Sequence, residues 1–104
     1  MRADKQKLEG ELSRIVESLK QLGAQRIILF GSLARGRIRV STDIDLIAVF
    51  DDQMTFKERM KHVYSHLDAR EAVDILAYNE DESEQIRNKP SFRHVLRNAR
   101  ALYG

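Results

Sequence analysis

The chain has 104 residues, of which 42% are hydrophobic and 33% are charged, so we expect one globular domain over residues 1–104. It contains no cysteine, which excludes disulfides, thiolate zinc sites and cysteine nucleophiles. Its longest apolar run, at residues 27–30, is far shorter than the roughly 20 residues of a membrane span. The first residues are charged and carry no apolar signal region. These features predict a soluble cytoplasmic protein without membrane contact.

The net charge is only +2, from 18 Lys and Arg against 16 Asp and Glu. Electrostatic binding to nucleic acid needs clustered positive charge rather than a small excess. Basic clusters lie at residues 35–39 and 87–100, and the acidic run at residues 80–84 partly cancels the second. Nucleic-acid binding through residues 87–100 would rest on charge alone, so we do not expect nucleic acid as the partner.

The first half of the chain predicts a helix and two strands. Apolar residues at helical spacing predict an amphipathic helix over about residues 4–22. Residues 26–30 predict a buried strand that breaks at Gly31-Ser32, after which residues 33–36 leave room for about one helical turn. Residues 44–50 are apolar on both faces, which predicts a central strand covered on both sides.

The second half continues this alternation. Thr55 and Glu58 form a capping-box pattern. The helix that follows has a predicted buried stripe: Phe56, Met60, Val63, Tyr64 and Leu67. The remaining predicted elements are a strand at residues 72–78, an acidic helix at 80–87, a last helix after Pro90, and Leu102-Tyr103 as tail packing or an edge strand. This order predicts an α/β fold, a small mixed sheet with flanking helices.

Asp43-Ile44-Asp45 opens the otherwise apolar second strand. Residues two apart on a strand point to the same side, so the two carboxylates repel each other unless cations lie between them. Mg²⁺ prefers oxygen ligands and is commonly held by one or two carboxylates together with substrate phosphates. A solvated strand end with two surface aspartates is the alternative explanation.

Two further features accompany this pair. Asp74 interrupts the third strand, where a lone charge is costly unless it is paired or binds a metal. If the second and third strands are neighbours, Asp74 can point to the same side as the pair; a salt bridge to an arginine is the alternative. Gly31-Ser32, at a strand-to-helix junction, would present backbone N–H groups and a hydroxyl to phosphate oxygens. Taken alone, this dipeptide is more typical of a plain turn.

Together these features resemble the nucleotidyltransferase family of the DNA polymerase beta type. Its motif is Gly-Ser, ten residues and Asp-x-Asp, followed by a third acidic residue on a later strand. Here Gly31-Ser32 is followed by the ten residues 33–42 and then by Asp43-Ile44-Asp45. The surrounding segment is similar to that of the smallest members, the minimal nucleotidyltransferases. Leu33 departs from them, since they often have a polar or basic residue there, and it removes one phosphate contact.

The resemblance implies a palm-like nucleotidyltransferase fold and transfer of AMP from ATP to an acceptor hydroxyl, with two Mg²⁺ ions as cofactors. It implies three catalytic residues that also bind the metal: Asp43, Asp45 and Asp74. It also implies three nucleotide-binding residues: Gly31, Ser32 and Arg35. A surface arginine that steadies its loop is the alternative role of Arg35.

Minimal nucleotidyltransferases are commonly the partners of helical HEPN-domain proteins. About 100 residues leave little room for the added domains of polymerases, CCA-adding enzymes or antibiotic-modifying enzymes. The resemblance therefore implies the antitoxin of a type VII toxin–antitoxin pair, a protein adenylyltransferase that adds AMP to a tyrosine of the HEPN toxin. The alternative is a non-catalytic module that neutralises its partner by binding alone.

The basic residues of the last helix are the expected docking surface for this partner. The spacing of Arg93, Arg97 and Arg100 predicts that these three arginines share one helical face, and His94 belongs to the same basic surface. The residues leave open whether the protein forms a homo- or hetero-oligomer, which base it prefers, and how many AMP units it transfers.

Overall fold

The chain folds into helices and strands in the order that its hydrophobic pattern predicts. The computed structural model describes residues 5–34, 44–67 and 73–104, and every element below lies within these ranges. The helices are α1 (Lys5–Gln21), α2 (Gly31–Ala34), α3 (Phe56–Ser65), α4 (Glu80–Arg87) and α5 (Pro90–Leu96). The strands are β1 (Arg26–Phe30), β2 (Ile44–Phe50), β3 (Val73–Asn79) and β4 (Arg100–Tyr103).

The described strands form one mixed sheet in the order β3-β2-β1-β4. β2 and β3 are parallel, whereas β1 runs antiparallel to both of its neighbours, β2 and β4. β2 is therefore a central strand, which explains why it is apolar on both faces. The end of β1 lies beside the beginning of β2, which in turn pairs with the beginning of β3, and Gly31, Asp45 and Asp74 lie at this end of the sheet.

Helices cover both faces of the sheet. α1 and α3 pack on one face, where the buried core includes Leu8, Ile15, Leu19, Ile27, Leu29, Ile44, Leu46, Ala48, Val63, Ile75 and Ala77. α4 and α5 pack on the other face, against a smaller cluster that includes Ile28, Phe30, Ile47, Val49, Leu76, Tyr78, Ile86, Phe92 and Leu96. The predicted α/β fold with a small mixed sheet and flanking helices is confirmed. No helix in the described ranges has both the length and the apolar character needed to cross a membrane.

Arg59 is fully buried and joins three parts of the chain. Its guanidinium forms ion pairs with Asp52 at 2.9 Å and with Glu82 at 2.6 Å. It also donates hydrogen bonds to the carbonyl oxygens of Met54 and Ala77. Burial alone would lower its pKa, but the hydrogen bonds and charges of Asp52 and Glu82 raise the pKa above its ordinary value. Arg59 therefore stays charged and fixes the loop after β2 to β3 and α4.

Side chains of α3 cover the outer edge of β3. The N–H of Ile75 donates a hydrogen bond to the Tyr64 hydroxyl at 2.7 Å, and the N–H of Ala77 donates one to the Met60 sulfur at 3.3 Å. An edge strand with free N–H groups is a template for pairing with another chain. These contacts occupy two of the donors that β3 would otherwise present.

The predicted buried stripe of α3 is wrong in part. Val63 is buried, but Phe56 and Tyr64 are 38% and 43% exposed. α3 packs beside the outer strand β3, so only the inner part of its stripe reaches the sheet. Phe56 instead stacks on Tyr78, with ring centroids 5.4 Å apart. The predicted capping box is confirmed, since the Thr55 hydroxyl accepts from the Glu58 N–H and the Glu58 carboxylate accepts from the Thr55 N–H.

Two short elements differ from their predicted bounds. α2 begins at Gly31, before the turn predicted at residues 33–36, and residues 35 and 36 lie outside the described ranges. The tail forms the edge strand β4, which decides between the two alternatives for Leu102-Tyr103.

Candidate active site

The sheet register places two of the predicted catalytic aspartates side by side. In the pairing of β2 with β3, Asp45 is the direct partner of Asp74, and in the pairing of β1 with β2 it is the partner of Phe30. Neighbouring strands lie about 4.8 Å apart, and residues in register point to the same face. Both aspartates therefore lie on the face of the sheet that α4 and α5 cover.

The surroundings of the two carboxylates differ. Asp45 is half-buried, whereas Asp74 is exposed at the beginning of β3. The prediction that Asp74 carries its charge inside a buried strand is therefore wrong, because Asp74 is the second residue of β3 and its side chain is exposed there. The alternative, a salt bridge from Asp74 to an arginine, is not found within the described residues. Asp74 is available to a ligand that approaches from solvent.

Gly31 lies directly against the carboxylate of Asp45. Its φ is +78°, in the left-handed region that favours glycine. A Cβ atom at this position would overlap the Asp45 carboxylate, with Oδ2 as the first atom it meets. Any side chain here would displace the carboxylate, so glycine lets β1 turn sharply while Asp45 keeps its place.

The other predicted site residues extend beyond what the structure describes. Asp43 and Arg35 lie outside the described ranges, as does the side chain of Ser32. The backbone of Ser32 belongs to α2, next to Gly31. The structure thus brings Gly31, Asp45 and Asp74 together, while the metal-binding role of all three aspartates and the nucleotide-binding role of Ser32 and Arg35 stay predictions.

The residues present fit a divalent metal ion. Asp45 and Asp74 supply carboxylate oxygens, the donors that Mg²⁺ prefers, on one face and in one register. Within residues 5–34, 44–67 and 73–104, no group of three His, Cys, Asp or Glu side chains could hold a metal. The resemblance places the third carboxylate at Asp43, outside these ranges. Mg²⁺ commonly needs only one or two protein carboxylates when substrate phosphates complete its coordination shell. Two carboxylates such as Asp45 and Asp74 are therefore enough protein ligands for one such ion.

A cleft of about 320 Å³ opens beside Gly31, and sequence reasoning missed it. Its described lining is Phe30, Gly31, His94, Val95, Arg97 and Asn98. The last turn of α5 and the residues after it therefore face the end of β1. The available signal was the spacing of His94 and Arg97, three residues apart on a helix, but only the fold shows which strand end they approach.

The predicted docking face is wrong in its geometry. α5 ends at Leu96, and Arg100 belongs to β4, so Arg93, Arg97 and Arg100 do not share one helical face. The helix stops here because the chain must turn to pair β4 with β1. Arg97 lines the cleft, and Arg93 is not among the residues that line it.

The motif spacing and this geometry agree with a comparison against known protein families. The model of the polymerase beta nucleotidyltransferase family matches residues 11–103, nearly the whole chain. The chain belongs to this family. Members typically use a nucleotide substrate and a divalent metal, which agrees with a carboxylate pair beside a glycine turn.

Solved structures with the same fold support this assignment. A proposed nucleotidyltransferase from Sulfolobus solfataricus is 27% identical, with a TM-score of 0.57 over 80% of this chain and 82% of that one. A toxin–antitoxin structure with AMP-PNP is 23% identical, with a TM-score of 0.55 over 88% of this chain and 72% of that one. A mutant of the toxin–antitoxin MntA-HpeT is also 23% identical, with a TM-score of 0.52 over 89% and 72%. The comparison with curated proteins finds no match.

Proposed function

We propose that this protein is a Mg²⁺-dependent adenylyltransferase that moves AMP from ATP to a tyrosine of a HEPN-domain toxin, and so acts as its antitoxin. One observation carries the chemistry: Asp45 and Asp74 are register partners on one face of the sheet, next to the Gly31 turn. Side-by-side carboxylates repel each other, and a protein gains from keeping them there when they bind cations.

The reaction is an in-line displacement at phosphorus. The acceptor oxygen bonds to the α-phosphorus of ATP, the bond from that phosphorus to the bridging oxygen breaks, and pyrophosphate leaves with the electron pair. The proton of the acceptor hydroxyl passes to solvent. When bound, two divalent ions neutralise charge on the attacking and leaving oxygens.

The chain's own residues have distinct roles in this proposal. Asp45 and Asp43 would hold the metal ions that bind the triphosphate, Gly31 and Ser32 would bind its phosphates, and Arg35 would neutralise phosphate charge. Asp74 is the more exposed carboxylate, which makes it the one that a protein acceptor arriving from solvent would meet first. This asymmetry supports a role for Asp74 in orienting the acceptor hydroxyl rather than in holding the triphosphate.

The antitoxin role is supported by the solved structures of similar fold. Two of them are toxin–antitoxin complexes, and one of these contains AMP-PNP, an analogue of ATP. The small size of the domain gives a second argument. An open site leaves the acceptor largely unheld, and remote binding energy normally supplies the positioning that drives transfer. A docked partner protein that presents its own tyrosine would supply that energy.

The test is intact-mass measurement of a HEPN-domain protein co-expressed with this chain. We expect the partner to gain one or more AMP units with the wild type and with Asp51→Asn, and none with Asp45→Asn. Asp51 is a matched control because it is exposed just after β2, at the opposite end from the site. An unmodified partner that still forms a stable complex with the wild type would contradict transfer and favour neutralisation by binding alone.

A further inference from the structure

The cleft beside Gly31 has the size and place of a ligand site. Its volume, about 320 Å³, lies at the low end of the roughly 300–1,000 Å³ typical of small-molecule sites. Phe30 lines it and belongs to the cluster on the α4–α5 face of the sheet, the face that also carries Asp45 and Asp74. Phe30 is also the register partner of Asp45, so the cleft and the carboxylate pair are neighbours on one face.

The polar side chains around the cleft are suited to an anion. Arg97 has a guanidinium with donors only, Asn98 an amide that can donate, and His94 a ring that donates in either neutral tautomer. All three are exposed, so their polar ends are accessible from solvent. Among the described residues that line the cleft there is no aspartate or glutamate. Donors without a carboxylate suit a ligand that only accepts hydrogen bonds, and phosphate is such a ligand.

The position of the cleft relative to Asp45 selects which phosphates it takes. Gly31 lines the cleft and also lies directly against the Asp45 carboxylate. If the α-phosphate lies at the carboxylates, where the proposed transfer occurs, the chain of phosphates can continue past Gly31 into the cleft. We propose that this cleft binds the β- and γ-phosphates of ATP, with Arg97 as the main phosphate-binding side chain and His94 and Asn98 as further donors.

This inference rests on the proposed function, and it adds a role that follows from the chemistry. Negative charge grows on the bridging oxygen as pyrophosphate leaves, so a guanidinium at the β-phosphate stabilises the transition state more than the bound substrate. A part of the chain far from the Gly-Ser and Asp-x-Asp motif would then complete the leaving-group side of the site.

The experiment is a phosphorus NMR titration of the full chain with ATP, AMP and inorganic tripolyphosphate at constant Mg²⁺ and ionic strength. We expect Arg97→Ala to weaken binding of ATP and tripolyphosphate about 10-fold, as for loss of one charge-assisted hydrogen bond, and to leave AMP binding within about 2-fold. Arg97→Lys should retain part of the affinity. Arg93→Ala removes the same charge from α5, four residues before Arg97, and Arg93 is not among the described residues that line the cleft, so this variant should bind all three ligands as the wild type does.

Three results would overturn the proposal. ATP binding that is unchanged in Arg97→Ala would show that the cleft holds no phosphate. Equal weakening of ATP and AMP would place the nucleoside half of ATP in the cleft instead. If Arg93→Ala weakened ATP and tripolyphosphate binding as much as Arg97→Ala does, the loss of affinity would reflect only the change in net charge. Arg97 is exposed and forms no ion pair with the described residues, so we expect wild-type melting temperatures for all these variants.

The outcomes also separate this proposal from the proposed transfer. If the wild type modifies its partner but Arg97→Ala binds ATP normally, only the role of the cleft is wrong. If Arg97→Ala loses ATP and tripolyphosphate binding but the wild type leaves its partner unmodified, the cleft is a polyphosphate site and the transfer is wrong.

Discussion

The two ends of the parallel pair β2–β3 both carry acidic residues, but they use them differently. At the far end, Asp52 and Glu82 flank the buried guanidinium of Arg59, and each carboxylate is within 3 Å of it. At the near end, Asp45 and Asp74 stand side by side in register beside a glycine. The arrangement at the far end neutralises charge inside the protein. At the near end the two carboxylates are side by side, and that of Asp74 is exposed to solvent.

We interpret this difference as one between charges that stabilise the fold and charges that the proposed function reserves for a ligand. Around Arg59, opposite charges and hydrogen bonds compensate the cost of burial, so every member stabilises the others. Burial and the charge of Glu82 raise the pKa of nearby Tyr78, which keeps that hydroxyl neutral. At the near end, two like charges are register partners, and like charges at this spacing repel each other. Substitutions at the two ends should therefore have opposite effects on stability and activity.

The largest expected effect is on turnover at the near end. Asp45→Asn removes one of the carboxylates that we propose to bind metal and should lower the proposed AMP transfer about 1,000-fold or more, equivalent to roughly 4 kcal/mol of transition-state stabilisation. The same change relieves repulsion from Asp74, so the melting temperature without metal should be unchanged or higher. Differential scanning fluorimetry and a transfer assay on one preparation measure both quantities. A variant that melts well below the wild type would show that Asp45 is structural.

At the far end we expect the opposite result. Arg59→Leu leaves the Asp52 and Glu82 charges uncompensated and should reduce the free energy of unfolding by about 3 kcal/mol. This value is near the lower limit for breaking a buried ion pair, because both carboxylates are partly exposed. Urea denaturation followed by circular dichroism measures the loss.

Lys61→Leu is the control for this change. Lys61 is an exposed cation on the same helix, and its substitution should change stability by less than about 0.5 kcal/mol. Comparable stability of Arg59→Leu and Lys61→Leu would remove the contrast between the two ends.

A smaller effect should separate Asp74 from Asp45. Asp74→Asn should lower turnover about 100-fold, or roughly 2.7 kcal/mol, with little loss of Mg²⁺-ATP affinity, because we propose that Asp74 orients the acceptor hydroxyl. Titration with ATP and single-turnover kinetics separate the two quantities. If ATP affinity falls as far as turnover, Asp74 holds the triphosphate instead.

The smallest effect concerns the capping box that begins the helix carrying Arg59. Two hydrogen bonds with Thr55 lower the pKa of the Glu58 carboxyl below its ordinary value. The bond with the Thr55 backbone has the larger effect and the bond with its side chain the smaller. The stabilisation from ionised Glu58 is therefore complete above the unfolded-state pKa of 4.5 and is lost as the pH falls through the lower folded-state pKa. The melting temperature of Glu58→Gln should be slightly below that of the wild type at pH 7. At strongly acidic pH the two melting temperatures should be equal. A difference in melting temperature that grows as the pH falls would contradict the lowered pKa of Glu58.

Most elements of this fold could be predicted because their signals are local. β1 and β2 have the predicted bounds, and α4 begins and ends at the predicted residues. Strand and helix periodicity depend on neighbours within a few residues, as does the Thr55–Glu58 capping box. The spacing from Gly31-Ser32 to Asp45 also indicated the family. This spacing is a local feature, because it runs from the end of β1 to the beginning of β2, the next strand in the chain.

The sequence by itself determined the fold class, the family and the carboxylates to examine. Only the tertiary structure decided that Asp45 and Asp74 are register partners, that Arg59 is buried between two acids, and that Arg97 faces the end of β1. The physical reason is that each of these relations joins residues far apart in the chain. Periodicity fixes the face on which a side chain lies, but strand order and helix packing fix what that face meets.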